Sequence, residues 1–160
     1  MENGLKINLN NQEKDLLLQD LSSRLPYGVK IDIPDLFIST KNNIEVLNEI
    51  FCGDDGEFRC NDSGMLIKYV KPYLFPLSSI TEEQMEELEE LCNMYTPDDD
   101  YWPYAYKGIT ILYKHVLDDG YKFSSSFNTD VIDWFNKNHF DYRGLIPMGL
   151  ANDATGLNIY

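Results

Sequence analysis

Closely spaced turn signals, Asp54-Asp55-Gly56 and then Asn61-Asp62-Ser63-Gly64, cut the middle of the chain into pieces too short for helices. Glu57-Phe58-Arg59-Cys60 lies between them and Met65-Leu66-Ile67-Lys68-Tyr69-Val70 follows, so this region predicts a meander of short strands. Upstream, Val29-Lys30-Ile31-Asp32-Ile33 alternates apolar with polar residues, as a strand with one buried face does. Ile44 to Phe51 fits either a helix or a strand, and the turns that follow it favour the strand. About four or five such strands suffice to curl into a small antiparallel barrel of the SH3-like type, because an open meander leaves its edges unprotected.

Helical signals flank this β-rich stretch. Asn10 or Asn11 can start a helix that carries Leu17, Leu18, Leu21 and Leu25 at helical spacing and stops at Pro26, with Pro26-Tyr27-Gly28 as a turn. Lys71 to Ser79, with prolines at 72 and 76, reads as an extended connection. Thr81 then caps a helix with Gln84 placed for a capping box, a buried stripe of Met85, Leu88, Leu91 and Cys92, and a solvated face of Glu86, Glu87, Glu89 and Glu90. Gly108 to Leu117 fits a strand or a helix, and Tyr121 to Phe127 a loop or short strand. Near the other end, Asn128 or Thr129 caps a helix whose Val131, Trp134 and Phe135 make one broad apolar face. Phe140 and Tyr142 next alternate with Asp141 and Arg143 up to Gly144, and Leu145, Ile146, Met148 and Leu150 form a hook that closes over a core. The expectation is an α+β fold in one domain spanning residues 1–160. Residues 26–80 make its β-rich part and 81–160 its mainly helical part.

With 43% hydrophobic and 13% aromatic residues the chain is too apolar to stay disordered. Its formal net charge of -14 repels phosphate backbones and anionic headgroups, which argues against nucleic acid and membranes and suits a basic protein, a divalent cation or a cationic small molecule. Cys52, Cys60 and Cys92 make an odd count without paired spacing, although Cys52 and Cys60 could approach across a hairpin; reduced thiols are the simpler account. Met1-Glu-Asn-Gly-Leu-Lys-Ile has no basic stretch leading into an apolar one, so a cytoplasmic location is expected.

Known catalytic and cofactor motifs are missing from the sequence. His115 and His139 are not set in a nucleophile signature, the cysteines and histidines are too scattered for zinc, and the glycines form no phosphate cradle. The acidic loop Thr96 to Asp100 lacks the spaced oxygens and central glycine of a calcium loop. Neither a catalytic residue, a metal nor a cofactor is therefore assigned. Two groups remain as binding candidates. Trp102, Tyr104 and Tyr106 lie in the aromatic patch after the acidic loop, where rings supply contact area and faces that attract cations; packing of the barrel against the helices is the simpler account of them. His139, Asp141 and Arg143 form a polar cluster able to touch a partner or ligand.

Three runs, Leu25-Pro26-Tyr27-Gly28-Val29-Lys30, then Val70 to Glu83, then Asp133 to Ile146 with its Phe140-Asp141-Tyr142-Arg143-Gly144, carry a resemblance. The chain resembles a widespread family of uncharacterised proteins encoded by gut Bacteroidales and by their phages and mobile elements. The resemblance implies a small cytoplasmic accessory protein of phage or prophage origin, acting in the host cytoplasm, and brings no reaction or binding residues with it. The function expected is a non-enzymatic protein-interaction module that modulates a host process or defence system. A small-molecule-sequestering protein is the alternative, and a hydrolase with a Cys or His site the third.

Overall fold

Asn10 opens the first helix by an exchange of hydrogen bonds: its side chain accepts from the Glu13 N–H at 2.9 Å, and the Glu13 carboxylate accepts from the Asn10 N–H at 3.0 Å. The structure is a computed structural model that describes residues 9–34, 44–93 and 129–160. Helix α1 (Asn11–Arg24) contains no glycine, proline or β-branched residue, which suits a helix interior. It buries Leu17 and Leu21 completely. Leu25–Tyr27 adds one tighter turn, and Gly28 ends it at φ 64, a backbone conformation that a Cβ would strain.

The described residues are α+β and divide into two compact units, one drawn from Met1–Leu74 and Leu145–Tyr160, the other from Phe75–Gly144. The sequence changes character at residue 80, but by contact the first unit ends at Leu74 and takes the chain back at Leu145.

In the first unit β1 (Lys30–Asp32), β2 (Ile44–Val46), β6 (Lys71–Leu74) and β7 (Asn152–Asp153) form a sheet in the order β2-β1-β6-β7. β1 runs antiparallel to both its neighbours, and β6 runs parallel to β7. Val29, Ile31 and Ile33 are all fully buried, so the alternation seen in the sequence is the core face of this strand. A second sheet holds β3 (Ile50–Cys52), β4 (Phe58–Cys60) and β5 (Met65–Leu66) in sequence order, all antiparallel. Its inner face, Ile50, Cys60 and Met65, joins the same core as α1.

The expected SH3-like barrel is not closed. Met65 to Val70 does not continue as one strand: after Leu66 the chain makes a 3-10 turn over Ile67–Tyr69, burying Ile67, and re-emerges in the other sheet as β6. Two separate sheets result. Lys71 to Leu74, expected as a mere connection, is an inner strand. Proline at 72 is tolerated because the register points the groups of Lys71 and Tyr73 at β1, leaving the missing donor of Pro72 on the opposite side.

At the rung between Lys30 and Tyr73 a side chain does the bridging. The Tyr160 hydroxyl accepts from the Lys30 N–H at 2.9 Å and donates to the Tyr73 carbonyl at 2.8 Å. Partial burial of that phenol pushes its pKa up to about 12, the Lys30 N–H and the Arg24 charge acting the other way. We expect Tyr160→Phe to lower the unfolding free energy by about 1–2 kcal/mol, seen as a lower denaturant midpoint. Because the fold favours the neutral phenol, this contribution should be intact at neutral pH. It should fade as pH climbs from about 10, where a free tyrosine ionises, toward the shifted value.

In the second unit Thr81 caps α2 (Glu82–Asn93) through the expected box, its hydroxyl accepting from the Gln84 N–H at 3.2 Å while Gln84 Oε1 accepts from the Thr81 N–H at 3.0 Å. Leu88 packs in a cluster with Val131 and Phe135 of α3 (Thr129–Lys137) and with Leu77, Phe140 and Tyr142. The aromatic rings set its geometry: Trp134 lies edge-on to Phe135 at 5.3 Å and stacks on Phe140 at 5.5 Å, and Phe135 stacks on Tyr142 at 5.4 Å. No helix among the described residues is long and apolar enough to cross a membrane.

Candidate binding surface

The polar cluster at 139–143 owes its place to the backbone. His139 takes a left-handed conformation at φ 58, and its carbonyl accepts from the Phe75 N–H at 2.9 Å; the Asp141 N–H donates back to the Phe75 carbonyl at 2.8 Å. That pairing turns Phe140 and Tyr142 into the core of the second unit. His139 and Asp141 are themselves buried, and Arg143, half-buried, sits over the Tyr142 ring at 4.6 Å. The segment thus brings the three candidates together in sequence, with only Arg143 substantially open to solvent. Trp102, Tyr104 and Tyr106 lie outside the described residues.

A more exposed surface stands on the three-stranded sheet. Phe51 of β3, Arg59 of β4 and Leu66 of β5 are cross-strand neighbours on its outer face. Cys52 and Phe58 pair at the far end of the inner face, beyond the buried core. Phe51 is 39% exposed and Phe58 42%, so the hairpin presents a ring on each face near its tip. Arg59 is immobilised by Asp55, which accepts two hydrogen bonds of 2.7 Å from the guanidinium. The guanidinium and the Glu57 N–H hold the Asp55 carboxyl well below the usual carboxylate range, and Asp55 in turn raises the pKa of Arg59. Gly53 leaves the guanidinium room to lie close to the backbone, since a Cβ there would push the Arg59 side chain aside.

Beside the hairpin lies an open recess of about 440 Å³ lined by Glu45, Asn48, Glu49, Asn61, Asp62 and Ser63. Asn61 builds it. At φ 53 it takes the left-handed turn that asparagine tolerates better than most residues. Its amide donates to Glu45 at 3.1 Å and to the Val46 carbonyl at 2.9 Å, while its oxygen accepts from the Asn48 N–H at 2.9 Å. One turn residue therefore ties β4 to the segment that leads from β2 to β3.

Two cysteines, Cys52 and Cys60, have described side chains. Register sets Cys52 against Phe58 and Cys60 against Ile50, so the two thiols are offset diagonally on the hairpin and both are free. Burial, helped by Glu45, pushes the Cys60 thiol up to about 11, which keeps it protonated at neutral pH. Among the described residues no group of His, Cys, Asp and Glu is arranged to hold a metal ion.

Phe51, Phe58, Asn61 and the recess acids were not singled out from the sequence. The available signal was the placing of one phenylalanine before and one after the Asp54-Asp55-Gly56 turn. Comparison with protein-family models, with curated proteins and with solved structures finds no match to the chain.

Proposed function

We propose that this chain is a non-enzymatic protein-interaction module that docks a basic partner on the β3–β4 hairpin. The observation that carries the reading is the pair of exposed rings, Phe51 and Phe58, set among carboxylates. Exposed aromatic side chains supply contact area at small entropic cost, and a rim of like charge selects and steers a partner of the opposite sign. Between residues 44 and 66 the only basic residue is Arg59, and Asp55 already neutralises it. Glu45, Glu49, Asp54 and Asp62 are left facing whatever approaches. The resemblance to proteins of gut Bacteroidales and their phages supports a phage or prophage origin and a place of action in the host cytoplasm.

The test is a pull-down from a Bacteroidales lysate at low and moderate salt with the intact chain and with the Phe51→Ser/Phe58→Ser double variant. The reading expects a stoichiometric partner that weakens as salt rises and is at least tenfold depleted on the variant, whose circular dichroism should be unchanged. A partner held equally by both chains, or none with the intact chain, would sink it.

A further inference from the structure

We propose that β3 accepts an added strand, an extended segment of the partner bearing Lys or Arg, laid along the edge of the three-stranded sheet that has no neighbour among the described residues. This rests on the reading above and specifies how the partner is held.

Hydrogen-bond direction along β3 follows from its register. Gly53 donates to Glu57 at 2.9 Å and Asn61 donates to the Glu49 carbonyl at 3.2 Å, so residues 49, 51 and 53 turn their backbone groups toward β4. Ile50 and Cys52 must then point theirs the other way. β3 stands at the end of the strand order, and β4 is its one neighbour in the sheet among the described residues. An edge of this kind is a template for another strand, and the added main chain supplies affinity while alternate side chains supply specificity.

Side chains on both faces fit such an occupant. A residue of the added strand on the outer face would lie beside Phe51, and one on the inner face beside the exposed Cys52. The ends of β3 are acidic, with Glu49 before it and Asp54 after it, and the recess with Glu45 and Asp62 adjoins the first of these. A segment alternating apolar and basic residues satisfies ring, edge and charge together. A second copy of this chain would bring the same acids to the same edge, so charge disfavours pairing of β3 with itself.

The probes are a seven-residue peptide alternating lysine and valine, an analogue N-methylated at alternate amides so that one edge cannot hydrogen-bond, and a glutamate–valine counterpart. Titrated into the full chain, the lysine peptide should bind and slow amide exchange at Ile50 and Cys52 at least tenfold. The N-methyl analogue should bind at least tenfold more weakly, and the glutamate peptide should leave exchange unchanged. Absence of lysine-peptide binding, binding without protection at those two amides, or equal binding of the analogue overturns the proposal. So does protection that appears without peptide and grows with protein concentration, the sign of self-pairing. Cys52→Pro separates this proposal from the reading it rests on. The substitution removes an outward donor at an edge position where proline is tolerated and spares the bonds to β4. Strand addition requires the pulled-down partner to be lost on Cys52→Pro; if the partner stays on Cys52→Pro but leaves the phenylalanine variant, docking on the hairpin stands and strand addition falls.

Discussion

Phe135→Ala should remove about 3–5 kcal/mol of stability from the second unit, the range in which truncation of a buried aromatic ring falls when its surroundings cannot collapse. Phe135 has no exposed surface, and its ring meets Trp134 edge-on and stacks on Tyr142. Both neighbours are tied elsewhere: Trp134 donates to Glu87 of α2 at 3.2 Å, and the Tyr142 hydroxyl donates to the Asn136 side chain at 3.0 Å. They cannot close the gap without giving up those bonds. Because α3 has 9 residues, too few to hold a helix by backbone bonds alone, the loss should also fray the helix. Near-ultraviolet circular dichroism followed through a denaturant titration measures the effect. Phe135→Leu, which keeps much of the volume, should cost clearly less, and equal losses for the two variants would show that the ring packing described here is not what holds α3.

The second large effect belongs to α1. Asp20 and Arg24 lie one helical turn apart, both with no exposed surface, joined by hydrogen bonds of 2.8 and 3.1 Å. A buried pair of this kind contributes little over an apolar pair of the same volume, since desolvation offsets the attraction. Removing one member is different, because the other charge stays enclosed. Asp20→Ala should therefore cost about 3–5 kcal/mol, lowering the melting temperature by roughly 10 °C for a chain of this size. The double variant Asp20→Leu/Arg24→Met should recover most of that loss. Thermal denaturation of the wild type, the single variant and the double variant measures both effects; a single variant within about 1 kcal/mol of wild type would contradict the burial of the pair.

Both cases show what a sequence of this kind discloses. Local signals were legible: the helix start at Asn10, the box at Thr81, the turn at Pro26-Tyr27-Gly28, the alternation from Val29 to Ile33 and the hairpin turns depend on neighbours a few residues away. Asp20 and Arg24 also form a local pair, but at helical spacing such a pair resembles any solvated one, and only long-range packing buries it. Strand β7 has two residues and no periodicity, and it exists because Leu74 and Tyr73 meet it from far upstream. Pro72 signals a break, yet its orientation toward the side away from β1 lets it sit inside a sheet. At the candidate sites, His139 and Asp141 looked like surface chemistry because they are polar, whereas the backbone pairing with Phe75 draws them inward. Asn61 read as a turn former and is one, but its side-chain bonds to Glu45, Val46 and Asn48 required tertiary structure to be seen.

The Tyr160 bridge bears on how the protein is born. Tyr160 and its acceptor Tyr73 are separated by 87 positions. At ribosomal speeds of about 5–20 residues per second, β1 and β6 emerge roughly 4–17 s before the phenol that completes their rung. During synthesis the three strands β2, β1 and β6 therefore wait with an unfinished seam and without β7, an interval in which a nascent chain is open to capture by a chaperone.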